Sequence, residues 1–471
     1  MDIAVIGGAP GAGKTHALVQ EIVSVAAKYI IACPRIDLIN ERIIDIRSAA
    51  SAIGVDMPII SVHSDTPSPL PVIQQIRDKM ADVMSLSHAV IAITHDALMA
   101  IDPIELTGWC IAIDEQISGL SSGRHVVPTA VRLLQDSFDI APVATRPGWG
   151  KLVPRNESIT YGDALRDAVL AQLAGLIKAA HSPHGAMVDF TRWEEVEGSN
   201  RPLGWISVWT YASLNHADGV MVAAAGLEHT LTYRATLDLH PHVQFLTFEI
   251  PVYRPLLPKI IIRFFTRSHR GSSHYWSTDT GGVSGIVGIA KFLEERAVGY
   301  WGANKNVQQY FVGRLSGIQV SVKVEGTNEF RAATSCALIY SAKARFEDEP
   351  LRNYFDWQKG AIERARECED LLQFVQRGAI RCSDFDGEYN IYVYDEWQAN
   401  WLGTYFQDNG IAAVEIVAEE EPGIMHVERP KPGARPDLTR TSEQKAADRR
   451  ARDRARKEKQ RRAQGIKPRG K

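Results

Sequence analysis

With 471 residues and 45% hydrophobic content, the chain is long enough for two or three cores, and its five scattered cysteines, Cys33, Cys110, Cys336, Cys368 and Cys382, form no CxxC pair, which excludes a disulfide framework or cysteine zinc site and points to a reducing compartment. The opening MDIAVIGG lacks a basic leader, and no apolar stretch approaches the roughly 20 residues of a membrane span, so a soluble cytoplasmic protein without a membrane partner is expected. The formal net charge of -3 conceals an asymmetry: residues 429–471 hold 17 Lys+Arg against 5 Asp+Glu, a net +12, leaving -15 on residues 1–428.

In chain order, IAVIG (Ile3–Gly7) reads as a short buried strand, GAPGAGKT (Gly8–Thr15) follows at once, and ALVQEIVSVAAKY reads as a helix. Strand, glycine loop and helix together match the phosphate-binding pattern GxxxxGK[ST]. Gly8, Gly11 and Gly13 let backbone N–H groups turn inward around phosphate oxygens. Ala9, Pro10 and Ala12 complete the loop, and His16 stands in the helix's first turn, where the helix N-terminus favours anions. Lys14 is expected to reach the β- and γ-phosphates and the Thr15 hydroxyl to ligate Mg²⁺, so ATP and Mg²⁺ are the expected cofactors.

WCIAIDEQ (Trp109–Gln116) is an apolar strand ending in adjacent acids. Asp114 is expected to hold the metal through its water shell, and Glu115 to orient and polarise the attacking water. About a hundred residues then separate this pair from GVMVAAAGLEHTL at Gly219, more than adjacent elements usually need. That stretch reads as an insertion with its own helix and strand pair, and its Trp193, Trp205 and Trp209 are either core residues or stacking platforms for bases. PVYRPLLPK from Pro251 reads as a joint, and KIIIRFF from Lys259 as the first strand of a second unit. Late in the chain, LLQFVQRGAIR (Leu371–Arg381) places Gln373, Arg377 and Arg381 four residues apart, a spacing that predicts one helix face. YNIYVYD from Tyr389 reads as the closing strand.

With the P-loop and the acid pair in place, the chain resembles the superfamily 2 helicases and translocases, the DEAD/DEAH-like P-loop NTPases, in the compact form found in phages and mobile elements. ACPRIDLINERI from Ala32 looks like motif Ia, and VIAITHDALM from Val90 like the next element, which implies nucleic-acid contacts for Arg35, Thr94 and His95. AAAG stands where the family has Ser-Ala-Thr in motif III. VGYWGANKN from Val298 resembles motif IV, and VEGTNEFRAATSCALIYS from Val324 resembles motif V, with Asn328 between nucleic acid and nucleotide. LLQFVQRGAIR looks like motif VI, whose arginines reach the γ-phosphate across the cleft. Gln373 and Arg377 match its first spacing and Arg381 falls one residue late, with Arg377 the first choice for the finger.

The resemblance implies an α/β protein of two RecA-like P-loop NTPase domains with parallel sheets. The first spans residues 1–250 with an insertion at about 117–215, the second spans 259–425, and a basic tail covers 426–471. It implies ATP hydrolysis at the interdomain cleft, coupled to movement on nucleic acid, with DNA ahead of RNA, and replication or packaging proteins of a phage as further partners. The tail suits a salt-sensitive hold on phosphates. Two rival readings remain. One is a phage terminase-type packaging ATPase with a nuclease built on Asp384, Asp386 and Asp395. The other is a nucleotide-binding switch, which has little use for Glu115. SHRGSSHYW from Ser268, with His269, Arg270 and His274, reads as a polar loop rather than a metal site.

Overall fold

The run IAVIG forms most of β1 (Asp2–Gly7), where Ile3 and Val5 are buried. The computed structural model describes residues 1–428 apart from residues 10, 127–130, 157, 169, 191–201, 252–256, 273–274, 277–279, 324–328 and 343–344. β1 leads through the glycine loop into α1 (Lys14–Ser24), which buries Leu18, Val19, Ile22 and Val23, the spacing of a helix lying on a sheet. Then follow β2 (Lys28–Cys33), α2 (Ile36–Ile53), β3 (Ile59–Ser61), β4 (Ala89–Thr94) and β5 (Cys110–Asp114). Burial is unbroken from Tyr29 to Cys33, from Ala89 to Ile93 and from Ile111 to Asp114, as in parallel strands covered on both faces.

The chain next leaves this sheet. β6 (Leu120–His125), β7 (Phe138–Pro142), β8 (Trp149–Pro154), β9 (Met187–Asp189) and β10 (Leu203–Val208) pair antiparallel in the order β6-β10-β9-β8-β7. The insertion therefore holds a five-stranded sheet rather than one strand pair. Trp205 is 5% exposed in the insertion's core and Trp209 is 2% exposed in the first sheet's core, so both are packing residues with no face open to a base. Trp193 lies outside the described residues. β11 (Gly219–Ala223) and β12 (Gln244–Glu249) then return to the first sheet, which is parallel throughout in the order β12-β1-β11-β5-β2-β4-β3.

A second parallel sheet follows, built from β13 (Lys259–Thr266), β14 (Tyr300–Ala303), β15 (Ile318–Gln319), β16 (Ser335–Ile339), β17 (Glu388–Asp395) and β18 (Ala413–Ala418), in the order β15-β14-β16-β17-β13-β18. The tyrosine-rich β17 is thus a central strand rather than the closing one. Its last five residues are all buried, whereas β18 at the edge is half exposed. Each half is an open parallel α/β sheet with helices on its faces, and the fold is that of two RecA-like units carrying an insertion in the first.

The helix predicted across Leu371–Arg381 ends early. It spans Ala361–Val375, and a separate 3₁₀ turn covers Ala379–Arg381. Two fully buried tyrosines take the helix's final carbonyls: the Tyr300 hydroxyl donates to Phe374 O at 2.9 Å and the Tyr389 hydroxyl to Val375 O at 2.9 Å. Tyr389 approaches so closely that a Cβ on Gly378 would lie 2.3 Å from its oxygen, so only glycine passes there.

The halves are linked covalently through residues 250–258 and a second time through the insertion. Trp149 and Ile206 of the insertion pack with Leu351, Tyr354, Phe355 and Trp357 of the second half. Arg124 pairs with Glu349 and lies 3.7 Å from the ring centre of Phe346, and Trp357 Nε1 donates to Asp238 at 2.7 Å. Leu351 is fully buried in this cluster, and Leu351→Ala should destabilise the protein by about 2–5 kcal/mol. A urea melt with an unchanged midpoint would show that the contact holds nothing together.

Candidate functional site

In the first sheet β1 and β5 lie on either side of β11, so their carboxyl ends are two strand spacings apart, roughly 10 Å. Side chains close that gap. The Thr15 hydroxyl, at the start of α1, donates to Asp114 Oδ1 at 2.8 Å, and Arg42 Nε, from α2, donates to Asp114 Oδ2 at 2.9 Å. Asp114 is 2% exposed at the wall of the cleft, so both partners answer a charge that water scarcely solvates. From beneath, His95 Nε2 donates to the Asp114 carbonyl at 3.0 Å.

Gly8, Gly11 and Gly13 all take positive φ, the left-handed backbone a glycine loop needs. Gly11 is also a point of contact between the halves, since a Cβ there would lie 2.5 Å from the Arg381 carbonyl oxygen. Lys14 folds back over its own loop, donating from Nζ to Gly8 O at 2.7 Å and Ala9 O at 2.8 Å. Burial holds its ammonium down to about 8, against the attraction of Glu115. Glu115 itself sits at φ 69 with its N–H donating to Ala223 O at 2.9 Å. A non-glycine residue in that region is strained, and the neighbouring strand holds it there.

Facing these groups, the second half contributes Gln373, Arg377 and Arg381 to a cleft of about 940 Å³ that also exposes Gly13, Lys14, Thr15 and Glu115. Arg377 is 4% exposed; its Nε donates to Gln373 O at 2.9 Å and its Nη2 to Gln373 Oε1 at 2.8 Å. Gln373 thereby fixes the guanidinium at the helix end. Arg381 comes from the following 3₁₀ turn, its acidity raised by burial and then by nearby Arg331, against the pull of Glu115. Although the three residues share no helix face, the turn at Gly378 returns Arg381 to the same cleft.

A cavity of this volume accepts a nucleotide. The loop N–H groups and Lys14 suit its phosphates, and Thr15 with Asp114 forms an all-oxygen pair of the kind Mg²⁺ prefers. Ala9, Ala12 and the exposed His16 belong to the loop and the first turn of α1, and His16 lines the cleft. Pro10 and Asn328 lie outside the described residues. Arg42 and Arg331 also line the cleft and were missed in the sequence. The only available signals were an arginine within the NERI of α2 and one closing NEFR.

The residues expected to touch nucleic acid fare differently. Arg35 is exposed at the N-cap position of α2. Thr94 caps the helix His95–Ala100, its hydroxyl accepting from Ala97 N at 3.2 Å. His95 corrects the expectation: it is 7% exposed and committed to the Asp114 carbonyl, so its ring supports the acid rather than an external strand. The acids of the nuclease reading do not converge. Asp384 and Asp386 precede β17, and Asp395 ends it, so roughly 23 Å of strand separates the two groups at about 3.3 Å per residue. Asp395 moreover accepts from Arg270 Nε at 3.0 Å. His269 is occupied as well, with Nδ1 at 2.8 Å from Val427 O and Nε2 at 2.7 Å from the Tyr394 hydroxyl; His274 lies outside the described residues.

No protein-family model matches the sequence, and no curated protein does. Solved structures similar to the chain include one named XPD_Helicase, with TM-score 0.47, 11% identity and coverage of 88% of this chain and 96% of that one. Another is S. cerevisiae Dbp5 bound to RNA and ADP BeF3, with TM-score 0.33, 9% identity and coverage of 88% and 85%. A third is Arterivirus nonstructural protein 10 (helicase) with DNA, with TM-score 0.27, 11% identity and coverage of 85% and 63%. At these scores they carry no argument about the site.

Burial lowers the His95 imidazole from 6.5 to about 4. Between those values the unfolded chain binds a proton that the folded chain excludes, so stability falls as pH drops from 6.5 towards 4, by roughly 3 kcal/mol from this residue. His95→Gln should flatten that decline in denaturant melts at pH 7, 6 and 5. An unchanged slope would place the proton elsewhere.

Proposed function

We propose that the protein is a nucleic-acid-dependent ATPase of the helicase or translocase type, hydrolysing ATP in the cleft between its two RecA-like halves. The observation that carries this reading is the meeting, around one cavity, of a P-loop and two acids from the first half with Arg377 and Arg381 from the second. Only a site assembled from both halves can report the state of one phosphate to the relative placement of two domains.

In this reading the loop N–H groups and Lys14 hold the β- and γ-phosphates. Thr15 and Asp114 hold Mg²⁺, which when bound offsets charge on the phosphate oxygens. Glu115 orients the attacking water and accepts its proton. Arg377, fixed by Gln373, and Arg381 stabilise the negative charge of the transferring phosphoryl group. Once phosphate leaves, the arginines lose their partner and the cleft relaxes, so a strand lying across both halves is gripped in alternation. Exposed Arg35 is assigned to that strand. The excess of 17 Lys+Arg over 5 Asp+Glu in residues 429–471 adds a sequence-independent hold, and single-stranded DNA is the first substrate to try.

Phosphate release measured over a panel of single- and double-stranded DNA and RNA tests the proposal, with stimulation by single strands expected and a flat response to every nucleic acid counting against it. Glu115→Gln should retain ATP binding while turnover drops by about 10²–10⁴-fold, and Arg377→Ala should cost about 10³-fold or more at similar ATP affinity. Persisting turnover in either variant would remove that residue from its role. Truncation after Val427 should weaken binding to single-stranded DNA at low salt and reduce the slope of log affinity against log salt; an unchanged slope would leave the tail without this task.

A further inference from the structure

We propose that Arg42 is a positioning residue for the metal-binding acid: it holds the Asp114 carboxylate in the orientation in which Thr15 and Asp114 take Mg²⁺, and so sets the Mg²⁺ requirement of nucleotide binding. The inference rests on the nucleotide-site reading above. Arg42 lies on α2, 72 residues before Asp114 in sequence, and its side chain is only 13% exposed. Its Nε donates to Asp114 Oδ2 at 2.9 Å while Thr15 holds Oδ1 at 2.8 Å, so the carboxylate is clamped at both oxygens and cannot rotate about its terminal torsion.

The clamp leaves room for the metal. Each carboxylate oxygen offers two lone-pair directions, so Oδ2 can accept from Arg42 and from a metal-bound water together, and no displacement is needed. The guanidinium does not present a bare charge to the incoming cation either, because its other nitrogens meet Asp45 and Glu41, both about half exposed on the same helix. Three carboxylates thus surround one arginine, and the local field stays favourable to a divalent ion. Without Arg42, a 2% exposed Asp114 would lose the partner that keeps its Oδ2 in place, as happens when outer partners of metal ligands are removed. Lysine carries the charge but not the planar fork, so it restores only part of the hold.

The test is isothermal titration of the full-length protein with ADP over a series of Mg²⁺ concentrations, for wild type, Arg42→Met and Arg42→Lys. Arg42→Met keeps the buried stem and should raise the half-saturating Mg²⁺ concentration about 10–100-fold while leaving Mg²⁺-free ADP affinity as it is; Arg42→Lys should fall between. The proposal is overturned if Arg42→Met keeps the wild-type Mg²⁺ midpoint, or if it loses Mg²⁺-free and Mg²⁺-dependent binding alike, as a purely structural ion pair would. Should Arg42→Met not fold, Arg42→Lys alone decides, and a midpoint equal to that of wild type overturns it. Failure of wild type to bind ADP at any Mg²⁺ concentration sinks the nucleotide-site reading instead, whereas normal wild-type binding with an indifferent Arg42 sinks only this inference.

Discussion

A carboxylate 2% exposed at the end of a buried strand is tolerated only when its charge is answered from close by, and Asp114 organises the first half around that requirement. Thr15 answers it from the P-loop, Arg42 from the neighbouring helix, and His95 supports its carbonyl from the next strand but one. Loop, helix and strand ends are therefore registered against one another through a single side chain. Removal of Arg42 takes an opposite charge from that carboxylate and removal of Thr15 takes a donor from its other oxygen, which is why the site is a continuous piece of the fold.

The second half meets this arrangement through a different device. Its arginines are placed by the termination of a helix: the hydroxyls of Tyr300 and Tyr389 satisfy the last carbonyls, the chain turns at Gly378, and Arg381 lies over Gly11 with its own backbone. Arg377 is fixed by Gln373, one turn earlier. Two tyrosines in the core of one sheet thus determine where positive charge faces the phosphate loop of the other.

The P-loop and the DE pair were readable because their chemistry is local: glycines, lysine and hydroxyl stand consecutively, and two acids close an apolar strand. The two parallel sheets came with the resemblance that those motifs carry, and buried runs such as IAVIG and CIAID agreed with it. Arg42 was invisible, since an arginine on an amphipathic helix has no local mark of a partner 72 residues away. The helix end at Val375 was misread for the same reason, being set by tyrosine hydroxyls from distant strands. Strand rank was hidden as well: nothing in YNIYVYD states that β13 and β16 flank it. His95 was misassigned because position after a strand says where a residue sits, not whether its ring points inward.

The insertion's grip on the second half, through Trp149, Ile206, Leu351 and Tyr354, has a kinematic meaning. A body joined to another at one point swings in any direction. Tied at two separated points, it keeps a single easy freedom, rotation about the line that joins them. Here the chain's passage from β12 to β13 is one point and the aromatic cluster the other. While the seat of Arg381 on Gly11 also holds, that rotation is stopped, so the contact at the nucleotide cleft is the one that must part before the halves can turn.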